Sequence, residues 1–275
     1  LRLAVKRMIN KRWFLCLSCL MLFGSAFWPQ ALGAENQISV HVVATRPGVT
    51  VQVLVIKPEK PVATILLFPG GAGRVSFQPD GSTSYRGFPV RKPELFVQQG
   101  FMTAVINASS DVPARHFFRD TATHATDIRH AIAFLRKQAN IPLWLLGHSA
   151  GSTSVANAAI SLSDEGFAGI VLISSENGKP DLRSGYLDKL SIEEITVPTL
   201  IVHHEQDECE YTLFTNAQQL MARLKKASKS ELISFKDGGP VSGDKCGSLH
   251  YHGLPGLEQE AASRIADWIK SARKQ

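Results

Sequence analysis

The sequence predicts an α/β protein with a mostly parallel central sheet, helices on both faces of that sheet, and an antiparallel hairpin at its amino-terminal end. From residue 63 onward, strand-like and helix-like segments alternate, and turn residues separate them, which is typical of parallel strands joined by crossover helices. Most of these strands are continuous apolar runs, such as Ala63–Phe68, as expected for strands buried on both faces. With 275 residues, 44% of them hydrophobic, the chain suffices for one full domain.

The amino-terminal hairpin is predicted at residues 38–44 (ISVHVVA) and 50–57 (TVQVLVIK), whose alternation indicates edge strands with one face in solvent. Arg46-Pro47-Gly48 supplies the turn between them. The later strands are apolar runs that end in glycine, proline or polar turn residues. They are predicted, in chain order, at residues 63–68, 101–107, 143–146, 167–174, 199–203 and 230–235.

Helical spacing of apolar residues defines the segments between the strands. In residues 123–138, for example, Ala125, Ile128, Ile132 and Leu135 share one face. The predicted helices are residues 94–99, 123–138, 150–162, 215–226 and 257–273. Only about 25 residues lie between the strand that ends near residue 173 and the strand that begins near residue 199, so no large cap domain is expected there.

A candidate nucleophile lies in the loop after the strand at residues 143–146. Gly147-His148-Ser149-Ala150-Gly151 matches G-x-S-x-G between a buried strand and a helix of small apolar residues. A sharp strand-to-helix turn would hold Ser149 in strained geometry with its Oγ exposed above the sheet, and side chains at the two glycines would collide with neighbouring strands and the helix. Ser149 is therefore the predicted nucleophile; the alternative is a helix cap in a protein that only binds.

A serine nucleophile needs a base, and the base needs an orienting carboxylate. Asp207 lies a few residues after a predicted strand, where the acid of such a triad belongs. Its rivals are Glu205, Glu208 and Asp164. Two histidines precede the final helix, and His252 is followed by glycine, which gives the backbone freedom to turn the ring inward. His252 is the predicted base, and His250 a loop or packing residue; the order serine, acid, histidine suits this strand–turn–helix arrangement.

The same chemistry needs two backbone N–H groups that bind a developing oxyanion. One is predicted at Ala150, the residue after the nucleophile. The second is predicted in the glycine-rich turn at residues 70–73, at Gly71 or Ala72. The alternative is a glycine-rich turn without a further role, and it is not a phosphate loop because no Gly-Lys-Ser/Thr follows.

Residues 74–93 form a long irregular stretch that contains Phe77, Tyr85 and Phe88. Two interpretations stay open for it. It either borders the substrate entrance or is simply a surface loop.

Residues 1–34 are predicted to be a cleaved signal peptide. Lys11-Arg12 precedes the apolar run WFLCLSCLMLFGSAFW, and small residues lead up to cleavage after Ala34. The run is short for a membrane span, and an uncleaved anchor is the alternative. Residues 35–275 are then one exported domain, periplasmic or secreted, without a stable membrane anchor.

Removal of residues 1–34 changes the net charge and the cysteine content of the protein. Five of the six net positive charges lie in residues 1–34, so the nearly neutral remainder lacks the basic patch of a nucleic-acid-binding protein. Cys16 and Cys19 leave with the signal peptide, and Cys209 and Cys246 remain. In an oxidising compartment such a pair is a disulfide candidate; the alternative is two separate buried thiols.

Three segments together resemble a known superfamily: GHSAG at residues 147–151, HHEQDEC at 203–209, and CGSLHYHGLPGLE at 246–258. Over nearly its whole mature length the chain resembles the α/β-hydrolases, and it is similar to a group of exported bacterial members distantly related to dienelactone hydrolases. In that group the serine turn, an H-x-x-D-x-C segment and an H-G-[FL]-x-G-x-E segment recur.

The resemblance implies the α/β-hydrolase fold, the nucleophile Ser149, the acid Asp207, the base His252 and a disulfide bond between Cys209 and Cys246. Such a bond would tie the loop of the acid to the loop of the base, and we expect it to preorganise the triad. Dienelactone hydrolase itself has a cysteine nucleophile where this chain has serine, so its substrate is not implied.

The sequence therefore predicts a serine hydrolase that forms an acyl-enzyme and acts on a small-molecule ester, with peptidase or amide hydrolase as the alternative. No cofactor and no metal is expected, and the sequence contains no signal for an oligomeric state. One rival is a metal hydrolase, in which Asp207 and His252 would have to serve two roles. Its ligands would be His203, His204, Asp207, His250 and His252. A second rival is a non-catalytic binding protein on this fold.

Overall fold

The structure is a computed structural model that describes residues 36–112, 117–177 and 187–273. The predicted signal peptide, residues 1–34, and its cleavage after Ala34 lie outside these residues. Among the helices that the structure describes, none has both the length and the apolar content needed to cross a bilayer.

One eight-stranded sheet runs through the described residues. Its strands are β1 (Gln37–Arg46), β2 (Val49–Lys57), β3 (Ala63–Phe68), β4 (Phe101–Ile106), β5 (Leu143–His148), β6 (Gly169–Ile173), β7 (Thr199–His204) and β8 (Ser230–Phe235). Their spatial order is β1-β2-β4-β3-β5-β6-β7-β8. β1 pairs antiparallel with β2, and β2 with β4, whereas the remaining pairs are parallel. The predicted class, a mostly parallel sheet with an amino-terminal antiparallel hairpin, is confirmed.

Helices pack against both faces of the sheet. They are α1 (Glu94–Gln98), α2 (Ala122–Gln138), α3 (Gly151–Ser161), α4 (Phe214–Arg223) and α5 (Glu258–Ala272). Helices α2, α3 and α4 contribute to the core on one face, and α1 and α5 to the core on the other. Successive strand residues alternate between these cores: Leu66 of β3 lies in the first and Leu67 in the second. Burial on both faces explains why the central strands are continuous apolar runs.

Some predicted boundaries are wrong by a few residues. β5 extends to His148 instead of ending at residue 146, because its pairing with β6 continues to the His148–Ile173 pair. α4 ends at Arg223 instead of residue 226, because the backbone of Leu224 leaves the helical conformation with φ −73° and ψ 60°. These shifts leave the order of elements unchanged.

The connection between β6 and β7 contains two single-turn helices in its described residues, Leu187–Lys189 and Ile192–Glu194. Leu187 and Ile192 are fully buried in the same core as α3 and α4. This described part of the connection therefore packs into the domain and forms no cap.

Candidate active site

Ser149 lies at the junction of β5 and α3. Its backbone φ is 54°, a left-handed conformation that costs a non-glycine residue about 1–3 kcal/mol. Its N–H donates a hydrogen bond to the carbonyl oxygen of Ile173 on β6 at 2.9 Å, which holds the strained turn against the sheet. The residue is only half-buried, so the turn presents Ser149 at the carboxyl ends of the strands.

The two glycines of the motif leave no room for a side chain. A Cβ atom on Gly147 would lie 2.4 Å from the carbonyl oxygen of Gly151, and one on Gly151 would lie 2.3 Å from that of Phe68. Both contacts are with backbone, which cannot yield without displacing β3 or α3. The tight packing of strand, turn and helix therefore depends on both glycines.

Asp207 and His252 contact each other beside this turn. Oδ2 of Asp207 lies 3.2 Å from Nδ1 of His252, and the two residues are 4% and 3% exposed. Nδ1–H of His252 donates to the carboxylate, which leaves Nε2 for another partner. Ser149 and His252 line the same cavity. Among the described residues no hydrogen bond joins the Ser149 hydroxyl to His252, and such contacts often tighten only when substrate binds.

Thr212 takes part in this contact, although the sequence gave no sign of it. Its hydroxyl donates to Oδ2 of Asp207 at 2.9 Å and accepts from Nδ1–H of His252 at 3.0 Å. Its backbone N–H donates to the carbonyl oxygen of Cys209 at 2.9 Å. Thr212 is fully buried, and its hydroxyl holds the side chains of both Asp207 and His252 in place.

Further donors keep Asp207 ionised. The N–H of Cys209 donates to Oδ1 at 3.0 Å, and Nε2 of His203 lies 3.4 Å from Oδ2. Burial alone would raise the pKa of Asp207, but the hydrogen bonds and the electrostatic attraction of His203 and His252 hold that pKa well below its ordinary value. Asp207 is therefore a carboxylate at neutral pH.

The rival residues have other contacts. Nε2 of His250 lies 3.6 Å from Oε2 of Glu208, and Glu205 accepts a hydrogen bond from a serine of β8 at 2.7 Å. Asp164 pairs with Arg129 on the surface at 3.1 Å. Within the described residues, none of the three rival carboxylates is hydrogen-bonded to the predicted base.

The glycine-rich turn after β3 borders the nucleophile. A Cβ atom on Gly70 would lie 2.9 Å from the Cβ of Ser149, so the two turns are in contact. Gly71 lines the cavity, and Ala72 is not among the lining residues. Gly71 has a φ of 53°, which suits glycine, and Ala150 is the N-cap residue of α3. Of the two predicted positions in the turn, Gly71 thus faces the cavity.

A buried arginine holds this turn from behind. Arg119 is 2% exposed and donates to the carbonyl oxygens of Pro69 and Gly71, each at 2.9 Å, and to Oγ of Ser154 on α3 at 2.8 Å. Burial lowers the pKa of Arg119 to about 10, so the guanidinium is still charged at neutral pH. It orients the carbonyl groups of the turn and thereby the N–H groups on the opposite side.

Three hydrogen bonds connect the glycine-rich turn, the nucleophile turn and the base. The N–H of Gly70 donates to the oxygen of Tyr85 at 2.8 Å, the Tyr85 oxygen lies 3.0 Å from Nδ1 of His148, and Nε2 of His148 lies 3.1 Å from the carbonyl oxygen of His252. Because a carbonyl only accepts, Nε2 of His148 has the proton, and Nδ1 accepts from Tyr85.

The side chains of Tyr85 and His148 are both neutral at ordinary pH. Burial, and then the nearby His252, lower the pKa of His148 to about 3. Burial also disfavours the charged form of Tyr85 and so raises its pKa to about 12. The Tyr85 hydroxyl thus keeps the proton that it donates to His148.

The sulfur atoms of Cys209 and Cys246 lie 2.06 Å apart, which is bonding distance. Cys209 is buried and Cys246 is exposed, and both line the cavity. The geometry therefore allows the disulfide bond that the resemblance implies, between the loop of Asp207 and the segment that leads to His252.

The cavity in front of Ser149 has a volume of about 320 Å³. Its lining includes Tyr85 and Arg86 from residues 74–93, and Glu176 from the loop after β6. Residues 74–93 thus border the site, as one of the two interpretations had it, and Phe88 in the same stretch is fully buried. The sequence did not mark Glu176.

The histidines considered as metal ligands bind protein groups instead. Nε2 of His203 lies 2.5 Å from the carbonyl oxygen of Thr212, and Nε2 of His204 lies 2.8 Å from that of Asp237. The ring of His204 stacks on Tyr251 with centroids 4.2 Å apart. Across residues 36–112, 117–177 and 187–273, no three His, Cys, Asp or Glu side chains form a group able to hold a metal ion.

No protein-family model and no curated protein matches the chain, but solved structures resemble it. A dienelactone hydrolase from Anabaena variabilis superposes with a TM-score of 0.61 at 18% identity, covering 86% of this chain and 98% of that one. An esterase from the fungus Rhizomucor miehei gives 0.61 at 14%, covering 89% and 85%. An α/β serine hydrolase without a lid from Xanthomonas campestris gives 0.52 at 14%, covering 87% and 94%. At these identities the likeness is one of fold.

Proposed function

We propose that this chain, which has the fold of the α/β-hydrolases, is a serine hydrolase that cleaves carboxylic esters. One observation supports this most directly: His252, which is paired with the buried Asp207, lines the same cavity as Ser149, whose backbone is held in a strained turn. A serine, an oriented imidazole and an ionised carboxylate are the groups that nucleophilic acyl transfer needs.

In the proposed reaction, Nε2 of His252 takes the proton of the Ser149 hydroxyl while Oγ attacks the ester carbonyl carbon. The resulting oxyanion accepts hydrogen bonds from the N–H groups of Ala150 and Gly71, with Ala72 as the alternative to Gly71. The imidazolium then protonates the leaving alcohol, and Ser149 keeps the acyl group. A water molecule, deprotonated by His252, attacks this acyl-enzyme and releases the acid and the free serine.

Ester hydrolysis is preferred to amide hydrolysis for two reasons. Several solved structures with this fold are described as esterases, and the cavity has no cap over it in the described residues, which suits a small acyl substrate. A peptidase or amide hydrolase would use the same triad. Export remains part of the proposal, since a bond between Cys209 and Cys246 persists in an oxidising compartment.

The test is labelling by a fluorophosphonate probe together with hydrolysis of a short-chain nitrophenyl ester, measured for the parent and for Ser149→Ala. We expect the parent to react with both, and the variant to lose labelling and at least about a thousandfold in kcat/KM. A nitroanilide with the same acyl group distinguishes amide from ester cleavage.

Ser228→Ala is a matched control. Ser228 is exposed and precedes β8. It therefore lies at the amino ends of the parallel strands, away from the cavity at their carboxyl ends, and this variant should keep both activities. Activity that is lost to a chelator would favour the metal hydrolase instead. A folded parent that neither labels nor hydrolyses would favour a binding protein.

A further inference from the structure

Glu176 is a buried carboxylate in the cavity that the proposed reaction does not use. It is 8% exposed and lines the cavity together with Ser149 and His252. Its backbone N–H donates to Oγ of Ser152 at 3.3 Å, and the Ser152 hydroxyl in turn donates to the carbonyl oxygen of Ser149. The position of Glu176 is thus fixed relative to the nucleophile.

The carboxylate of Glu176 has no hydrogen-bond or ion-pair partner among the described residues. The nearby Arg119 uses its guanidinium for Pro69, Gly71 and Ser154. Burial raises the pKa of Glu176, and the nearby Arg119 and His252 oppose that rise. Burial of a charged group without a partner costs free energy. The carboxylate of Glu176 can gain such a partner from the cavity that it lines.

We infer that Glu176 binds a cationic nitrogen of the substrate, so that the preferred esters have an ammonium group on their acyl or alcohol part. This rests on the proposed function and names its substrate class. An ionised carboxylate only accepts hydrogen bonds, and its strongest partners are charged donors. Aromatic rings also attract cations, and Tyr85 and Tyr211 line the same cavity.

Arg86 is the residue that can compete with such a substrate. Its side chain is exposed, and it lines the same cavity. If Glu176 receives the substrate cation, Arg86 repels that cation, and removing its charge favours binding. If Arg86 instead swings inward to pair with Glu176, the carboxylate is occupied and the parent has no preference for a cationic substrate. The preference of the parent therefore separates the two alternatives.

The experiment compares two pairs of esters that differ only in charge. One pair is butyrylcholine and the neutral dimethylbutyl ester of butyric acid; the other is the nitrophenyl ester of aminohexanoic acid and that of heptanoic acid. For at least one pair we expect the parent to prefer the cationic ester in kcat/KM. Glu176→Gln should lower that preference about tenfold, mainly through KM, and Arg86→Gln should raise it.

Two results would overturn the inference. One is equal kcat/KM of the parent within both pairs. The other is that Glu176→Gln reduces both members of a pair equally and shifts the pH profile of kcat, which would make Glu176 a positioning residue for His252. Binding of butyrylcholine and of its neutral analogue to Ser149→Ala, by calorimetry, tests cation recognition even if the parent hydrolyses no ester.

Discussion

The hydroxyl group of Tyr85 connects two turns that are distant in sequence. It accepts a hydrogen bond from the N–H of Gly70 and donates one to Nδ1 of His148, which in turn holds the carbonyl oxygen of His252. Without this hydroxyl, a backbone donor and an imidazole acceptor would both lose their partners. We therefore expect Tyr85 to act as a positioning residue for the proposed oxyanion donors and the proposed base.

Tyr85→Phe tests this role, because it keeps the ring in the cavity and removes only the hydroxyl. We expect kcat to fall about ten- to a hundredfold with little change in KM, since the displaced groups act mainly in the transition state. The free energy of unfolding should fall by about 1–3 kcal/mol because two buried polar groups are left unpaired. Steady-state hydrolysis of a nitrophenyl ester and denaturant unfolding measure the two effects.

Tyr251→Phe is the matched control, since Tyr251 stacks on His204 and is not among the residues that line the cavity. Removal of the Tyr251 hydroxyl should leave kcat close to that of the parent. Equal kcat values for Tyr85→Phe and the parent, at a temperature where both are folded, would contradict the positioning role.

Among the secondary-structure elements, β7 and α5 hold the proposed acid and the proposed base in the loops beside them. Asp207 follows β7, and His252 precedes α5. The Cys209–Cys246 bridge joins these two loops across 37 residues of sequence. Cys209 also donates its N–H to Asp207, so the bridge is anchored directly on the acid.

Replacing both cysteines by serine should lower turnover more than it changes the fold. The open loop gains conformational freedom in the unfolded chain, which costs about 3–4 kcal/mol of stability on the chain-entropy model. In the folded protein the loops of Asp207 and His252 lose their tie, and we expect kcat to fall while the far-ultraviolet circular dichroism spectrum is retained. Both are measured well below the unfolding temperature of the double variant.

Reductant provides the control for this prediction. Cys246 is an exposed residue. We therefore expect a reductant to reach the bridge and to reproduce the loss of turnover in the parent, whereas the double-serine variant should not respond. A well-folded double variant with the turnover of the parent would end the hypothesis that the bridge preorganises the triad.

The sequence predicts those parts of the candidate site that local patterns describe. G-x-S-x-G marks Ser149, and positions after apolar strands mark Asp207 and His252, because parallel strands place their carboxyl ends at one edge. The contacts of Tyr85 with His148 and of Arg119 with Pro69 span 63 and 50 residues. They depend on which loops the strand order makes neighbours, and no local spacing encodes that order.

For the whole molecule, two buried neutral histidines link stability to pH. His124 and His148 are 6% and 3% exposed. Burial, together with the charge of Arg119 near His124 and the closeness of His252 to His148, lowers the pKa of each to about 3 from an ordinary 6.5. Below pH 6.5 the unfolded chain therefore binds protons at these two side chains that the folded protein does not bind.

Because the unfolded chain binds more protons at His124 and His148 than the folded protein does, the free energy of unfolding falls as the pH falls. The stability that comes from a depressed histidine pKa is fully present above pH 6.5 and is lost as the pH falls toward 3. Each histidine should remove about 1.4 kcal/mol of unfolding free energy per pH unit in that range. Asp207, whose pKa is also depressed, adds a further loss only at lower pH, below the ordinary range of a carboxyl group.

His148→Gln separates this contribution from the rest. Glutamine keeps an N–H for the carbonyl oxygen of His252 but does not titrate, so the absolute stability should fall while its dependence on pH becomes weaker by about 1.4 kcal/mol per pH unit. Urea unfolding at several pH values between about 4 and 6 measures the slope, with the exposed His130→Gln as matched control for loss of an imidazole. A slope equal to that of the parent would mean that His148 accepts a proton in the folded protein, and the hydrogen bond from Tyr85 to its Nδ1 would then be wrong.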